Sequence, residues 1–139
     1  MSLIGRAGPE WQFAVEWTKV REFAIATRAP CTEGENMPVP LTFPIYATNA
    51  FGMLAELLYL DHRRLLHGEQ EYEYRRPLRI GDRLLCRTQI VEDYRKEGKR
   101  GGAMRFIVLQ TEMRDQESGE VVVIGRTTAI ETGANRGRE

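Results

Sequence analysis

The chain is short of the residues that carry metal, redox and polyanion chemistry. Its only cysteines are Cys31 and Cys86 and its only histidines His62 and His67. Neither cysteine has a neighbour at metal-ligand spacing, and the histidines complete no zinc pattern with them, so no metal site is expected. An excess of one charge is missing too. Twenty Lys and Arg offset twenty Asp and Glu, which removes the electrostatic case for nucleic acid or an anionic membrane as partner. No apolar run reaches the ~20 residues of a membrane-crossing helix. The opening MSLIGRAGPEW lacks the apolar core of a secretory signal. These absences point to a cytoplasmic protein with two unpaired thiols, although a Cys31–Cys86 disulfide stays open, and to no cofactor. With 139 residues, 42% of them hydrophobic, the chain holds enough for one core and too little for two.

What is present is patterned. WQFAVEW alternates and reads as a first strand. Thr18 is the expected N-cap of a short helix with Val20, Phe23, Ala24 and Thr27 on one face. Pro30, Gly34, Pro38 and Pro40 then impose a long loop. From Thr48 to Leu60, only Glu56 is charged and apolar residues fall all round the helical wheel, which predicts a helix enclosed by the rest of the fold. Asp61, His62, Arg63 and Arg64 end it, the arginines suiting its negative pole.

Strands follow. EQEYEYRR alternates strictly, with Gln70, Tyr72 and Tyr74 on one face and Glu69, Glu71, Glu73 and Arg75 on the other. RLLCRTQIVEDYR, AMRFIVLQTEMRD and VVVIGRTTAIE give three more, separated by the loop KEGKRGG and the turn QESGE. One strand, a short helix, an enclosed helix and four long antiparallel strands make an α+β layout, a single hot-dog fold in which the sheet curls round one helix. The expected organisation is an N-terminal extension over residues 1–9, the domain over 10–131 and a disordered tail over 132–139.

Several segments carry a resemblance. RRPLRIGDRLLCRTQ, VPLTFPI (Val39 to Ile45) and LLHGEQEYEYRRPL resemble MaoC-like hydratases and dehydratases, in their N-terminal, non-catalytic type of domain. The likeness extends to the substrate-binding subunits of heterodimeric (3R)-hydroxyacyl-ACP dehydratases. It implies an acyl-CoA or acyl-ACP thioester as ligand, and either a homodimer or a heterodimer with a catalytic MaoC-like chain. Catalytic members carry D-x-N-P-x-H after the first helix, whose Asp and His act together on water and the acyl α-carbon. Here the corresponding ATRAPCTEGENMPVP has neither, only Glu33 and Glu35. Where catalytic members read A-H-G-M-L, this chain has Ala50-Phe51-Gly52-Met53-Leu54. The resemblance thus implies a chain that binds substrate while a partner supplies the dyad; whether it is an enzyme by itself stays open.

Catalytic candidates within the chain are therefore weak: His67 with Glu69 as a base pair, or Glu56, which would serve a hot-dog acyl-CoA thioesterase. A non-catalytic acyl-thioester-binding protein is the remaining alternative. The expected binding wall comprises Phe51, Gly52 and Met53 at the helix start, Tyr72 and Tyr74 facing it, and Arg75 and Arg76 for ligand phosphates. The simpler reading of the two tyrosines is core packing, and of the arginines an ordinary surface. Lys96, Lys99 and Arg100 among Gly98, Gly101 and Gly102 read as a solvated hairpin loop, too weak a pattern for phosphate binding. An open sheet edge calls for a second hot-dog domain.

Overall fold

A computed structural model describes residues 2–31, 34, 36–48, 50–99 and 102–133, without the side chains of residues 50 and 51. Glu33, Glu35, Arg100, Gly101 and the end of the tail lie outside the described residues, as does the side chain of Phe51. The elements are β1 (Trp11–Ala14), α1 (Trp17–Thr27), a 3-10 turn (Phe43–Tyr46), α2 (Ala50–Glu56), a second 3-10 turn (His62–Arg64), β2 (Leu65–Tyr74), β3 (Arg83–Glu97), β4 (Ala103–Asp115) and β5 (Val121–Glu131). All five strands form one antiparallel sheet in the order β1-β3-β4-β5-β2. This is the α+β hot-dog layout; β4 and β5 have the limits that alternation and turn residues set, while β3 runs two residues further, to Glu97.

The turns follow from local chemistry. The β4–β5 turn is organised by Asp115, whose Oδ1 accepts the N–H of Glu117 at 2.8 Å. Gly119 takes φ +74, where a Cβ would be strained. The segment before residue 10 is bound along β3. Gly5 N–H donates to the Ile90 carbonyl, Ile90 N–H to Arg6, and Gly8 N–H to Thr88, at 2.8 to 3.0 Å.

Both helices depart from their expected form. α1 starts at Trp17, with Glu16 at the N-cap and no side-chain cap, so Thr18 lies inside the first turn. Val20 and Ala24 are buried as expected, but Thr27 is exposed and its hydroxyl bonds back to the Phe23 carbonyl at 2.8 Å. α2 has seven residues, far short of the span from 48 to 60. Tyr59 swings to φ 57 and Leu60 N–H reaches the Leu54 carbonyl, a Schellman-type closure built on tyrosine. One side only is enclosed: Leu54 is fully buried, while Leu57 and Tyr59 are exposed. The all-round apolarity thus marks a short helix followed by an exposed apolar turn. Arg63 pairs with Asp61 at 3.0 Å within the next turn and does not serve the pole of α2.

The buried residues fall into two apolar clusters. One gathers α1, the first 3-10 turn and the β3–β5 ends around Val20, Phe43, Leu84, Cys86, Met113 and Val123. The other places Leu54 of α2 over Leu65, Ile90, Ile107, Leu109 and Ala129.

Candidate functional site

Between the two clusters the inner face of the sheet turns polar. Period two places Leu84, Cys86, Thr88 and Ile90 on one face of β3, and Ile107, Leu109, Thr111 and Met113 on the same side of β4. Thr88 and Thr111 are directly opposed, Thr111 faces Gly125, and Gly125 faces Tyr72. One step along, Leu109 opposes Thr127 and Thr127 opposes Gln70. The result is a seam crossing four strands, with an apolar core on either side.

Within it the hydroxyls of Thr88 and Thr111 share a bond of 2.7 Å. Thr127 Oγ1 donates to Gln70 Oε1 at 2.7 Å, and His67 Nε2 lies 3.1 Å from that same oxygen. Two donors of the seam find no acceptor among the described residues: Gln70 Nε2 and Tyr72 Oη, both shielded from solvent. Burial pushes the Tyr72 phenol up to about 12, so it is an O–H donor at neutral pH. Tyr74 is raised by burial and by Tyr72, and its hydroxyl donates to the Leu41 carbonyl, tying β2 to the segment before the first 3-10 turn.

At its β3 end the seam meets a cavity of about 330 Å³ whose lining includes Trp11, Ala47, Met53, Glu56, Leu57 and Thr88. The cavity is mainly apolar, with Glu56 exposed at its rim and Thr88 as its contact with the seam. Replacing Thr111 with valine leaves the buried Thr88 hydroxyl without its partner, and a loss of about 1–3 kcal/mol is expected. The Thr88→Val/Thr111→Val double variant recovers most of it, because no hydroxyl is then stranded; urea unfolding of wild type and the two variants checks the pair.

The anticipated site residues are dispersed. A bulge at His67/Glu69 sends them to opposite faces: His67, itself exposed, meets Gln70 on the inner side, while Glu69 opens onto an outer groove with Glu71, Glu92 and Arg126. Arg76 spans Asp82 at 2.9 Å and Asp115 at 3.0 Å, bracing the turns at one end of the sheet. Arg75 is exposed beside Glu73 at 3.7 Å. Gly52 is buried within α2 and Met53 lines the cavity. Cys31 and Cys86 are free thiols, and burial pushes Cys86 up to about 12, leaving it protonated and unreactive at neutral pH. Among the described residues no cluster of His, Cys, Asp and Glu is arranged to hold a metal ion, and no helix is long and apolar enough to cross a membrane.

The threonines and Gln70 went unnoticed as a group. The available signal was a single threonine in each of three otherwise apolar inward stripes, Thr88, Thr111 and Thr127.

Comparison with known proteins agrees with this architecture. The FAS1-like dehydratase domain region family matches residues 2–124. Two UPF0336 proteins are similar along nearly their whole length: that of Streptomyces avermitilis is 32% identical over 98% of this chain and 97% of its own, and that of Thermobifida fusca 33% over 94% and 91%. Among solved structures, the C-terminally truncated HadBC (3R-hydroxyacyl-ACP dehydratase) complex of Mycobacterium tuberculosis superposes with a TM-score of 0.72 at 22% identity, covering 94% of this chain and 98% of that one. The (R)-hydratase of A. caviae involved in PHA biosynthesis gives 0.61 at 14%, covering 91% and 94%. These structures share its fold, that of the MaoC-like dehydratases. With the family match spanning nearly all of the sheet, the chain belongs to the FAS1-like dehydratase domain region family.

Proposed function

We propose that the chain is the acyl-thioester-binding half of an (R)-specific enoyl-thioester hydratase or 3-hydroxyacyl-thioester dehydratase, and that a related hot-dog chain supplies the Asp/His dyad. The observation that carries this reading is a dehydratase-family chain whose first 60 residues contain neither aspartate nor histidine, so the loop after α1 has no acid–base pair. His67 on β2 meets Gln70, and Glu69 on the opposite face is no partner for it. Binding parts remain: a largely apolar cavity and a polar seam reached through Thr88. Met53 and Tyr72 belong to the proposed wall, with Phe51 and Gly52 beside Met53 in sequence. Tyr74 fastens its end, and Arg75 stands exposed for a carrier phosphate.

The edge of β2 supports the partner. β2 is last in the sheet and, among the described residues, pairs with β5 alone, so its other side offers an open backbone edge to a second domain. Leu66 is exposed on it. An exposed free Cys31 suits a reducing, cytoplasmic compartment.

The test is hydration of a short and a long trans-2-enoyl-CoA, followed as loss of conjugated thioester absorbance. The isolated chain is expected to give no turnover, and turnover is expected when a chain bearing D-x-N-P-x-H is added. Turnover by the chain alone that His67→Ala abolishes would sink the reading. One specific observation keeps a hydrolase in view: Glu56 stands at the cavity rim. Release of free CoA from acyl-CoA, lost in Glu56→Gln, would select a thioesterase instead.

A further inference from the structure

The two unpaired donors of the seam lie close to each other and to a glycine. A Cβ built on Gly125 would lie 3.4 Å from Tyr72 Cε1 and 3.9 Å from Gln70 Nε2, so the phenol ring and the amide border the same space above Gly125. Gln70 is fixed in orientation. Its Oε1 accepts from Thr127 and neighbours His67, which leaves Nε2 as the end turned away from those partners. Tyr72 is fixed by its strand, with its ring against the apolar core. An amide N–H and a phenol O–H are both donors, and burying them without an acceptor is unfavourable by an amount proteins rarely tolerate twice in one place.

We propose that Gln70 Nε2 and Tyr72 Oη together form a two-donor site for the thioester carbonyl oxygen of the bound acyl ligand. This assignment rests on the acyl-thioester reading above and gives it a residue-level site. The chemistry of the pair is selective. Two neutral donors suit an oxygen with two lone pairs, and with no cation in the site to offset the burial of a carboxylate, a neutral carbonyl is the cheaper guest. The mainly apolar cavity that meets the seam at Thr88 suits the acyl chain adjoining that carbonyl. The pair binds and orients the carbonyl, and the proton transfers remain with the partner's dyad. Gly125 adds room beside the pair: a Cβ there would sit in van der Waals contact with the tyrosine ring and 3.9 Å from the amide nitrogen.

The test compares two probes that differ by the one oxygen: decanoyl-CoA, a thioester, and S-decyl-CoA, the thioether with a methylene in place of the carbonyl. Their dissociation constants are measured by calorimetry on the full chain, on Tyr72→Phe, on Gln70→Leu and on the double variant. The expected result is that the full chain prefers the thioester by about 10-fold or more, as two hydrogen bonds in a shielded site allow. Each single variant shrinks the preference, and the double variant binds both probes alike. Tyr72→Phe is also expected to keep or raise the melting temperature, because it deletes a buried hydroxyl that has no partner in the unliganded chain. Equal binding of the two probes by the full chain overturns the donor pair while leaving the acyl-thioester reading intact. Binding of neither probe overturns both. A marked loss of melting temperature in Tyr72→Phe would show that the hydroxyl already serves the fold, which also overturns the assignment.

Discussion

Replacing Phe43 with alanine is expected to cost about 3–5 kcal/mol, the range for emptying a fully buried aromatic position. Among the described residues Phe43 is the largest side chain with no exposure, and it joins parts that have little else in common. Its ring centroid lies 6.0 Å from Phe13 of β1, 5.5 Å from Phe23 of α1 in an edge-on arrangement, and 5.9 Å from Tyr46 in a parallel stack. Such aromatic pairs are worth about 0.5–1.5 kcal/mol beyond the area they bury, so the loss exceeds that of an aliphatic residue of similar depth. The first 3-10 turn has two such anchors, Phe43 and Pro44, both buried, while Ile45 and Tyr46 are exposed. Ala47, which follows directly, forms part of the cavity wall. The variant should therefore unfold at lower urea concentration and bind decanoyl-CoA more weakly. Phe43→Leu should restore much of both, because the volume is partly retained. A midpoint for Phe43→Ala within about 0.5 kcal/mol of wild type would contradict this placement.

The second large effect concerns Asp93. Its carboxylate accepts two bonds of 2.8 Å from Arg105, and Leu3 N–H donates to it at 2.8 Å, with little of either side chain exposed. Changing Asp93 to asparagine removes the negative charge facing the Arg105 guanidinium in a shielded place, and breaking such a pair costs on the order of 3 kcal/mol. The Arg105 guanidinium, with help from the Leu3 amide, holds the Asp93 carboxyl below the usual carboxylate range. A carboxyl lowered in the folded state stabilises fully above its unfolded value of about 3.9 and loses that contribution as pH falls through the folded value. Wild-type stability should thus drop below about pH 4, and Asp93→Asn should flatten that part of the curve. Some acid dependence will persist through Asp115, which the amides of Glu117 and Ser118 and the guanidinium of Arg76 also lower. Unfolding free energies from pH 3 to 7 on both proteins measure the difference. Parallel curves would remove Asp93 from the acid transition.

The sheet was legible because period two and turn residues are local signals. Glu69, Glu71 and Glu73 alternate with Gln70, Tyr72 and Tyr74 in the structure as they do along the chain. The helices were less legible, since composition alone does not say where an apolar run stops being helical. Tyr59 in a left-handed conformation and the Leu60 to Leu54 bond end α2, and neither has a signature such as glycine. Thr18 had the right chemistry for a cap but stood two residues late, and Glu16 takes that place without using its side chain. The seam was invisible for a different reason. Thr88, Thr111 and Thr127 are ordinary strand residues one at a time, and only the register of three pairings lines them up with Gln70 and Tyr72. His67 was singled out for its imidazole, yet the adjacent Gln70 offers the more distinctive feature, an amide donor with no acceptor.

The strand order also has a consequence for biosynthesis. β2 is made early, but its neighbour in the sheet is β5, the last of these five strands to be made. Until Val121–Glu131 has emerged, Leu65–Tyr74 has no backbone partner in its own chain, and its exposed flank offers Leu66 and an inner row of tyrosines to any passing strand. β3 and β4, by contrast, close as a hairpin as soon as Asp115 appears. Folding is therefore late for the very edge that a second subunit would use. A translating polysome that carries several such chains holds several unpaired copies of β2 close together, which makes a chaperone, or a partner already folded nearby, most useful in that interval.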